Sequence, residues 1–403
     1  MVRFIHAADL HFDRPFEGLS ALKEYQAFFL EYNQQMVQTL VDVALEEAVD
    51  FLVLAGDTFH QNRPTLKMQR LFFEQMDRLA QRNIPVYLCF GNHDYYDPTR
   101  YWFDFPKNVH LFTSEEVATM MGETAEHERY AISAFSYCHP WIRTTKASEF
   151  PPRMAVDVHI GMYHGEVGVS GQYAPFQVAD LQTKGYDYWA LGHIHVPTKL
   201  ASQPPICYPG TPLGRNKKED KIAGIQLVTI HPQQAPIIEQ ISVAGIHWLT
   251  GQLSLAGCSS KKNVLDRLLS EPIHSRPCFL QLELFDTDDL PSDWLSPVEK
   301  QELLAYVNQR QGKQTTQWLY DVTVVKEAQQ DQGSPLLLDF AEWQLLYQTY
   351  QEPAVFHQTV EELWTQPVLS QLFQTTSFQK KVLANVQRRI YEEFDVKEEG
   401  SNV

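Results

Sequence analysis

Short apolar runs that end in a glycine or a polar turn recur along the first 230 residues and predict buried β-strands. The pattern is clearest from Ile84 to Phe90, which leads directly into Gly91-Asn92-His93-Asp94. Apolar positions at mostly helical spacing predict one amphipathic helix from about Ala21 to Val49 and another from Leu66 to Gln81. The strands predicted in this part of the chain are 3–8, 51–55, 84–90, 129–135, 155–163, 188–191 and 222–230.

The first two predicted strands flank a helix, and a β-α-β unit of this kind joins parallel neighbouring strands by a right-handed crossover. Open α/β sheets bind their ligands at the carboxyl ends of the strands. Asp9 and His11 follow the first strand and Asp57 follows the second, so we expect these side chains to converge on one edge of the sheet. Because Asp9 and His11 are two residues apart, they point to the same side if the segment is extended.

The chain changes character after residue 230. Residues 231–236 have the composition of a linker, and a compact β-α-β-α-β pattern follows, with strands predicted at 237–243, 277–284 and 317–325. Beyond a second, polar linker the pattern is helical and rich in glutamine and aromatic residues. We therefore predict an α/β protein with a catalytic domain at 1–230, a smaller α/β domain at 231–330 and a helical extension at 331–403.

The composition is that of a soluble globular protein, with 44% hydrophobic residues and no apolar run of the roughly 20 residues that span a bilayer. The five cysteines form no C-x-x-C pair, which indicates reduced thiols and a cytoplasmic location. The net charge of −17 argues against a simple basic nucleic-acid binder. It leaves open an enzyme that meets phosphate through bound metal ions, because divalent cations reverse the local electrostatics.

Each candidate metal ligand has an ordinary structural explanation when it is taken alone. Asp57 could cap the helix that follows it, and His164 could be satisfied by a neighbour. The strongest local signal is the pair His193 and His195, because two imidazoles at i and i+2 lie on one side of an extended chain. A basic loop near Arg215 could contact phosphate or could be a solvated hairpin connection.

Taken together, the candidates form a mixed oxygen and nitrogen set in which each residue lies near the end of a predicted strand. Seven ligands are too many for one tetrahedral zinc ion, and they suit two ions of higher coordination number that share a carboxylate. Carboxylates and imidazoles without thiolates favour Mn²⁺ or Fe²⁺. The candidate ligands are Asp9, His11, Asp57, Asn92, His164, His193 and His195.

The motifs D-x-H, G-D, G-N-H-D, H-G and G-H-x-H, in that order, resemble the calcineurin-like metallophosphoesterases over roughly the first 230 residues. The run from Gly56 to Pro64 and the sequence Tyr208-Pro209-Gly210-Thr211 resemble the SbcD-like, DNA-repair exonuclease branch of that family. The segment from Asp9 to Phe16 is closer to the YhaO-type proteins of that branch than to SbcD. The resemblance implies a two-sheet core flanked by helices, and a smaller α/β domain where these nucleases carry a DNA-capping domain.

The resemblance further implies a dinuclear-metal-dependent DNA exonuclease, with Mn²⁺ favoured and Fe²⁺ or Mg²⁺ as alternatives. A hydroxide held between the two ions would attack phosphorus, and His93, which matches the family's catalytic histidine, would act as general acid towards the leaving 3′-oxygen. His60 matches a second histidine that helps to position the phosphate or nucleotide. The implied ligand sets are Asp9, His11, Asp57 and His195 for one ion and Asp57, Asn92, His164 and His193 for the other, so that Asp57 bridges them.

The family resemblance also implies DNA as substrate, a homodimer, and a large SbcC-like ATPase with a coiled coil as partner. The aromatic, helical segment from Leu336 to Phe394 is a candidate docking surface for that ATPase, and a helical subdomain packed on its own chain is the alternative. Two other functions stay open at this stage. The metal site could serve a cyclic nucleotide or another small phosphoester, or the chain could be mainly a structural partner of the ATPase.

Overall fold

The computed structural model describes residues 1–325, except 62, 221–222, 232–233, 271–273, 275, 292 and 313–314, together with residues 347, 349, 352, 355, 356, 380, 382 and 383. Residues 1–326 form one compact unit and residues 327–403 form another. The elements named in this section all belong to the first unit. The predicted helical extension at 331–403 lies almost entirely outside the described residues.

The strands predicted from the apolar runs are present, with small shifts of their ends. The described strands are β1 (Val2–Ala7), β2 (Phe51–Ala55), β3 (Val86–Cys89), β4 (Val109–Leu111), β5 (Ala118–Glu123), β6 (Arg129–Ala134), β7 (Val158–His164), β8 (Tyr188–Gly192), β9 (Thr198–Ser202), β10 (Pro205–Tyr208), β11 (Ile225–Ile230), β12 (Ile237–Ile241), β13 (His247–Ser254), β14 (Cys278–Phe285) and β15 (Gln317–Val324).

Two six-stranded mixed sheets dominate the unit, and this confirms the predicted two-sheet core of an α/β protein. The first sheet has the strand order β12-β11-β1-β2-β3-β4, and the second has the order β5-β6-β7-β8-β10-β9. Strands β1, β2 and β3 are parallel neighbours, as the β-α-β pattern predicts. Strands β6, β7 and β8 are parallel neighbours in the second sheet. Both sheets therefore bring the carboxyl ends of three adjacent strands to one edge.

Successive residues of a strand point to opposite faces of its sheet, so the side chains of the central strands pack into two separate buried layers. In β1, Phe4 packs between the sheets, where its ring lies 5.0 Å from that of Phe51 and 5.5 Å from that of Tyr188. Its neighbour Ile5 packs on the outer face against helices. Because both faces of the central strands are buried, their sequences read as continuous apolar runs rather than as alternating patterns.

Helices cover the outer face of the first sheet. The N-cap of the helix Leu66–Ala80 is Thr65, whose hydroxyl accepts a hydrogen bond from the N–H of Met68 at 3.3 Å. Asp57 is therefore not the N-cap of this helix, which excludes the purely structural explanation considered for that residue. The described α-helices are α1 (Gln26–Glu46), α2 (Leu66–Ala80), α3 (Val178–Gln182), α4 (Lys217–Asp220), α5 (Lys261–Ser270) and α6 (Pro297–Gln311).

The segment after residue 230 differs from its prediction in two respects. The strand predicted at 237–243 is present as β12, but it pairs antiparallel with β11 and extends the first sheet. The parallel three-stranded sheet that follows consists of β13, β14 and β15, and its first strand was not predicted. Phe279 of β14 and Trp318 of β15 pack in the same buried cluster as α1. A domain boundary at residue 230 stays a prediction.

Among the described residues, none of the helices combines the length and the apolar character that crossing a bilayer requires.

The buried histidine of β1 makes the stability of this sandwich sensitive to acid. Burial lowers the pKa of His6 from 6.5 to about 3, and its ring contacts the hydroxyl of Tyr188 and the carbonyl of Leu191, each at 3.0 Å. The unfolded chain takes up this proton as the pH falls through about 6.5 and the folded protein does not, so stability is lost below that pH. We expect His6 to contribute about 2 kcal/mol to the difference in unfolding free energy between pH 7 and pH 5.

Urea unfolding at both pH values, compared between the native chain and His6→Gln, measures this contribution. The substitution His127→Gln, at an exposed histidine, is the matched control and should leave the pH dependence unchanged. An equal acid-induced loss in the native chain and in His6→Gln would contradict the assignment.

Candidate metal centre

The carboxyl ends of five strands meet at one edge of the sandwich and bring all the candidate residues together. Strands β1, β2 and β3 come from the first sheet, and β7 and β8 come from the second. The candidates occupy the last residue of a strand or the turn just after it, namely Asp9 and His11 after β1, Asp57 after β2, Asn92 and His93 after β3, His164 at the end of β7, and His193 and His195 after β8.

Asp9, His11 and His195 form one group of potential ligand atoms. The Nε2 atoms of His11 and His195 lie 3.1 Å apart, and Nε2 of His195 is 3.9 Å from Oδ1 of Asp9. Nε2 of His11 also lies 3.8 Å from Oδ2 of Asp57. Four side chains from three loops therefore face one small volume.

A second group lies on the other side of Asp57. Nε2 of His164 is 3.5 Å from the same Oδ2 of Asp57 and 3.1 Å from Oδ1 of Asn92. Nδ1 of His193 is 3.2 Å from that Asn92 oxygen. Oδ2 of Asp57 therefore approaches one histidine from each group. Asp9 is common to both sides as well, because Asp9, Asp57 and His164 form a second set of potential ligand atoms.

Four of the seven candidate ligands have backbone conformations in the left-handed region, with φ angles of 53° at Asp9, 42° at His11, 51° at Asp57 and 103° at His193. Such conformations cost on the order of 1–3 kcal/mol each and occur where the surrounding structure enforces them. Here the loops bond to each other, because the N–H of Asp9 donates to the carbonyl of Gly56 at 3.1 Å and that of His11 donates to the carbonyl of Asp57 at 3.0 Å.

Two glycines allow the side chains to approach this closely. A Cβ atom at Gly91 would lie 2.1 Å from Oδ1 of Asp57 and 2.7 Å from the ring of His164. A Cβ atom at Gly56, whose φ is 88°, would lie 2.2 Å from Nδ1 of His164. Gly56 is therefore required by its turn and by the ring of His164, whereas Gly91 is required by the side chains of Asp57 and His164.

His93 and His60 form a stacked pair beside the two ligand groups. Their ring centroids are 4.7 Å apart with an interplanar angle of 26°, and the ring of His93 is 5.0 Å from that of His11. The backbone N–H of His93 donates to Oδ1 of Asp57 at 3.0 Å, and the backbone N–H of His60 donates to the carboxylate of Asp13 at 2.5 Å. The backbone of both histidines is therefore fixed by carboxylates, while their rings face the ligand groups.

Burial sets the protonation of the ligand groups. It lowers the pKa of His164 to about 3 and that of His193 to about 4, and it holds the pKa of His11 well below 6.5. These imidazoles are neutral near pH 7, which is the form that binds metals. Burial also raises the pKa of Asp9 to about 8 and raises that of Asp57. Two buried carboxylates of this kind call for a compensating positive charge.

The structure corrects the reasoning that placed neighbouring candidates on one side of an extended chain. Asp9 and His11 have left-handed backbones, so a turn rather than an extended segment brings them together. The imidazoles of His193 and His195 belong to different groups, since the first contacts Asn92 and the second contacts His11. The pair is thus divided between two groups of ligand atoms.

Comparison with known sequences identifies the family. The profile described as calcineurin-like phosphoesterase matches residues 2–197, a span that contains every candidate ligand and both members of the stacked histidine pair. This chain carries a calcineurin-like phosphoesterase domain. Its two mixed sheets flanked by helices agree with the fold of that family, and the family indicates a metal-dependent phosphoester hydrolase.

Relatives of the phosphoesterase domain include proteins named as nucleases. The chain is 40% identical over 233 residues to the metallophosphoesterase YhaO of Bacillus subtilis, a match that covers 56% of this chain and 57% of YhaO. It is 25% identical over 228 residues to the DNA double-strand break repair protein Mre11 of Methanopyrus kandleri, covering 52% and 49% of the two chains. It is 32% identical over 94 residues to the SbcD component of the nuclease SbcCD of Bacillus subtilis, covering 23% and 22%. The matches to YhaO and Mre11 span about half the length of those relatives.

The residues present fit the dinuclear divalent metal centre that this family uses. The Nε2 atoms of His11 and His195 lie 3.1 Å apart, close enough for one cation to bind both when each presents its lone pair. Nδ1 of His11 is buried without a hydrogen-bond partner among the described residues. The carboxylates of Asp9 and Asp57, 0% and 2% exposed, have no lysine or arginine among their described ion-pair partners. A divalent cation at these atoms would supply the positive charge that the two carboxylates lack and would bind the facing Nε2 atoms, which leaves Nδ1 of His11 as the protonated nitrogen.

Several residues near the phosphoesterase site were not predicted to have a role in it. Asp94 accepts hydrogen bonds from the N–H groups of Thr58 and Gly91, each at 2.8 Å, and so ties two of the ligand loops together. Arg215 is fully buried and donates to the carbonyls of Leu10 and His11, each at 3.0 Å. The phosphate contact considered for this basic loop therefore does not apply to Arg215.

Arg14 and Glu219 also surround the site. Arg14 forms an ion pair with Glu17. Burial of the rings is the main cause of the lowered pKa of His60 and His93, and the positive charge of Arg14 lowers the pKa of both further. Glu219 contacts the ring of His195. No local sequence pattern marks either residue, because the histidines on which Arg14 and Glu219 act are far from them along the chain and are brought close only by the fold.

Proposed function

We propose that this protein is a DNA exonuclease of the repair type that works with two divalent metal ions, Mn²⁺ foremost. The observation that carries the proposal is the arrangement of two ligand groups around the single Oδ2 atom of Asp57, with the stacked histidines His60 and His93 beside them. Either ligand group alone could hold one metal ion. A carboxylate shared between two such groups is characteristic of enzymes that hydrolyse phosphoesters with two metal ions.

Each side chain of the site has a part in this proposal. When bound, a pair of divalent ions supplies the positive charge that polarises a phosphate and activates water for in-line attack. We assign Asp9, His11 and His195 to one ion, Asn92, His164 and His193 to the other, and Asp57 to both. Burial lowers the pKa of His93, and the Asp57 carboxylate opposes that shift. A negatively charged phosphate beside the ring would favour its protonated form further.

His93 then donates a proton to the departing oxygen, a step typically worth about 10²–10⁴-fold in rate. His60 holds the ring of His93 by stacking and stands next to the same phosphate. Asp13 and Asp94 orient the loops of these residues through backbone N–H groups. The reaction is the hydrolysis of a phosphodiester by water, in which the phosphorus–oxygen bond to the leaving group breaks as the bond to water forms.

DNA is the proposed substrate because relatives of this chain are named as a DNA double-strand break repair protein and as part of a nuclease. With a net charge of −17, the chain has to meet a polyanion through local positive charge, and the two metal ions would provide it. We also propose that the protein acts as a homodimer and with an SbcC-like ATPase. Docking of that ATPase on residues 336–394 remains a prediction about a segment that lies almost entirely outside the described residues.

We expect the purified full-length protein to degrade end-labelled linear DNA in the presence of Mn²⁺, because the ligand set is complete in the chain itself. The measurement is the time course of label release, with EDTA and then added Mn²⁺ to show that the activity is lost and recovered. Bis-(p-nitrophenyl) phosphate and a cyclic nucleotide are assayed in parallel.

Each outcome of this experiment selects one function. Release of label that depends on Mn²⁺ supports the exonuclease. Hydrolysis of the small diesters without release of label would favour the small-molecule phosphodiesterase. Inactivity on all three substrates by a protein that binds no metal would favour a structural role beside an ATPase partner.

A further inference from the structure

The ring nitrogens of the ligand histidines that face away from the centre have different partners. Nδ1 of His164 contacts the carbonyl of Ala55 at 2.9 Å. Nδ1 of His195 instead lies 3.3 Å from Oε1 of Glu219. Among the described residues, His164 and His195 are the only ligand histidines whose Nδ1 atom has a partner outside the ligand groups. A carbonyl oxygen and a carboxylate both accept from a ring N–H, but only the carboxylate carries charge.

Glu219 is well placed for a specific contact. Its side chain is 14% exposed and that of His195 is 24% exposed, so the contact is largely removed from water. The second carboxylate oxygen of Glu219 accepts a hydrogen bond from the backbone N–H of Arg215 at 2.8 Å. Both oxygens are therefore engaged, and the carboxylate has one preferred orientation towards the imidazole.

We propose that Glu219 is a positioning residue for the metal ligand His195, an inference that rests on the two-metal site proposed above. By accepting the proton of Nδ1, the carboxylate fixes the tautomer in which Nε2 carries the lone pair, and Nε2 is the atom that faces His11 and Asp9. Carboxylates behind metal-bound imidazoles also hold the ring in place and make it a stronger donor, and their removal typically costs about 10–100-fold in metal affinity.

Glu219 lies outside the span matched by the family profile, which ends at residue 197, so the chain supplies this contact from a later segment. That segment consists of the short helix α4 and the turn before it, and both contact the first strand of the three-stranded sheet. Nε1 of Trp248 in β13 donates to the carbonyl of Gly214 at 3.0 Å, and Asp220 lies 3.6 Å from the ring of His247. The position of Glu219, and through it that of His195, therefore depends on contacts with the sheet that follows the phosphoesterase core.

The test is a Mn²⁺ titration of the full-length protein and its variants, followed by electron paramagnetic resonance of the free ion. The native protein is expected to bind two ions. Glu219→Ala should bind one of the two about 10–100-fold more weakly and leave the affinity of the other within about twofold, because only one ligand set contains His195. The affinity of Glu219→Gln should lie between those of the native protein and Glu219→Ala, since an amide NH2 that cannot accept replaces one of the two oxygens that now face His195 and the N–H of Arg215.

Lys218→Ala, at an exposed position of the same helix, is the matched control and should bind both ions as the native protein does. Unchanged binding of both ions by Glu219→Ala would overturn the inference and leave the two-metal site intact. Loss of both ions together with a lower melting temperature in Glu219→Gln would also overturn the inference, since that result indicates a structural role for Glu219. A native protein that binds no Mn²⁺ would overturn the proposed function and this inference with it.

Discussion

Asp57→Asn should release both metal ions and reduce phosphodiester hydrolysis by about 10³-fold or more. Oδ2 of Asp57 lies 3.8 Å from His11 and 3.5 Å from His164. The N–H of His93 donates to Oδ1, so the amide oxygen of asparagine takes that position and its NH2 group, which cannot bind a metal ion, replaces Oδ2. The loss of charge at a site that stabilises the transition state by several kcal/mol explains the size of the effect. Metal content by mass spectrometry and the rate of label release from linear DNA are the two measurements.

Asparagine is chosen for this position because the backbone of Asp57 has a φ of 51°. Asparagine tolerates the left-handed region, whereas alanine would add backbone strain to the loss of the ligand. Asp187→Asn is the matched control, because Asp187 precedes β8 and so lies at the end of the strand opposite to the site. Two bound ions together with native turnover in Asp57→Asn would exclude the bridging role.

His93→Ala should separate catalysis from metal binding. We expect the rate to fall by about 10²–10⁴-fold, the usual contribution of a general acid, while both ions remain bound. The physical reason is that the ring of His93 stacks on His60 and stays outside the two ligand groups, and its contact with Asp57 is made by the backbone N–H, which alanine retains. Turnover at saturating Mn²⁺ and metal content measured on the same preparation give the answer.

The matched control is His139→Ala, which removes an exposed histidine paired with Glu115. A substrate with a better leaving group, such as bis-(p-nitrophenyl) phosphate, needs less protonation and should be less affected by His93→Ala than DNA is. Loss of metal in this variant would make His93 a ligand, and an equal loss of rate on both substrates would argue against its role as an acid.

Most elements of the phosphoesterase core follow from the sequence because their signals are local. The apolar runs before Asp9, Asp57 and Asn92 predict buried strands, and the strands are there. Strands β4, β5, β9, β10 and β13 were not predicted, since each is short or exposes much of one face. The strand β12 was found, but its sheet was not, because pairing depends on a partner that the strand's own residues do not specify.

The sequence singled out seven candidate ligands and the two histidines of the stacked pair, because each lies near the end of a predicted strand and their order resembles that of one family. All nine lie together in the structure. Their grouping was not recognisable from spacing alone. His193 and His195 are two residues apart, yet a turn at His193 directs their imidazoles to different groups.

The sequence by itself determined which chemical groups are present and where along the chain they follow strands, because hydrophobic periodicity and turn residues act over a few neighbours. Only the tertiary structure decided that two sheets contribute to one edge, that Oδ2 of Asp57 lies between two groups of ligands, and that Glu219 stands behind His195. These contacts join residues far apart in the chain, such as Asp57 with His164, and they exist only once the sheets have packed. Long-range packing has no counterpart in local sequence pattern, and that is why the site had to be seen in three dimensions.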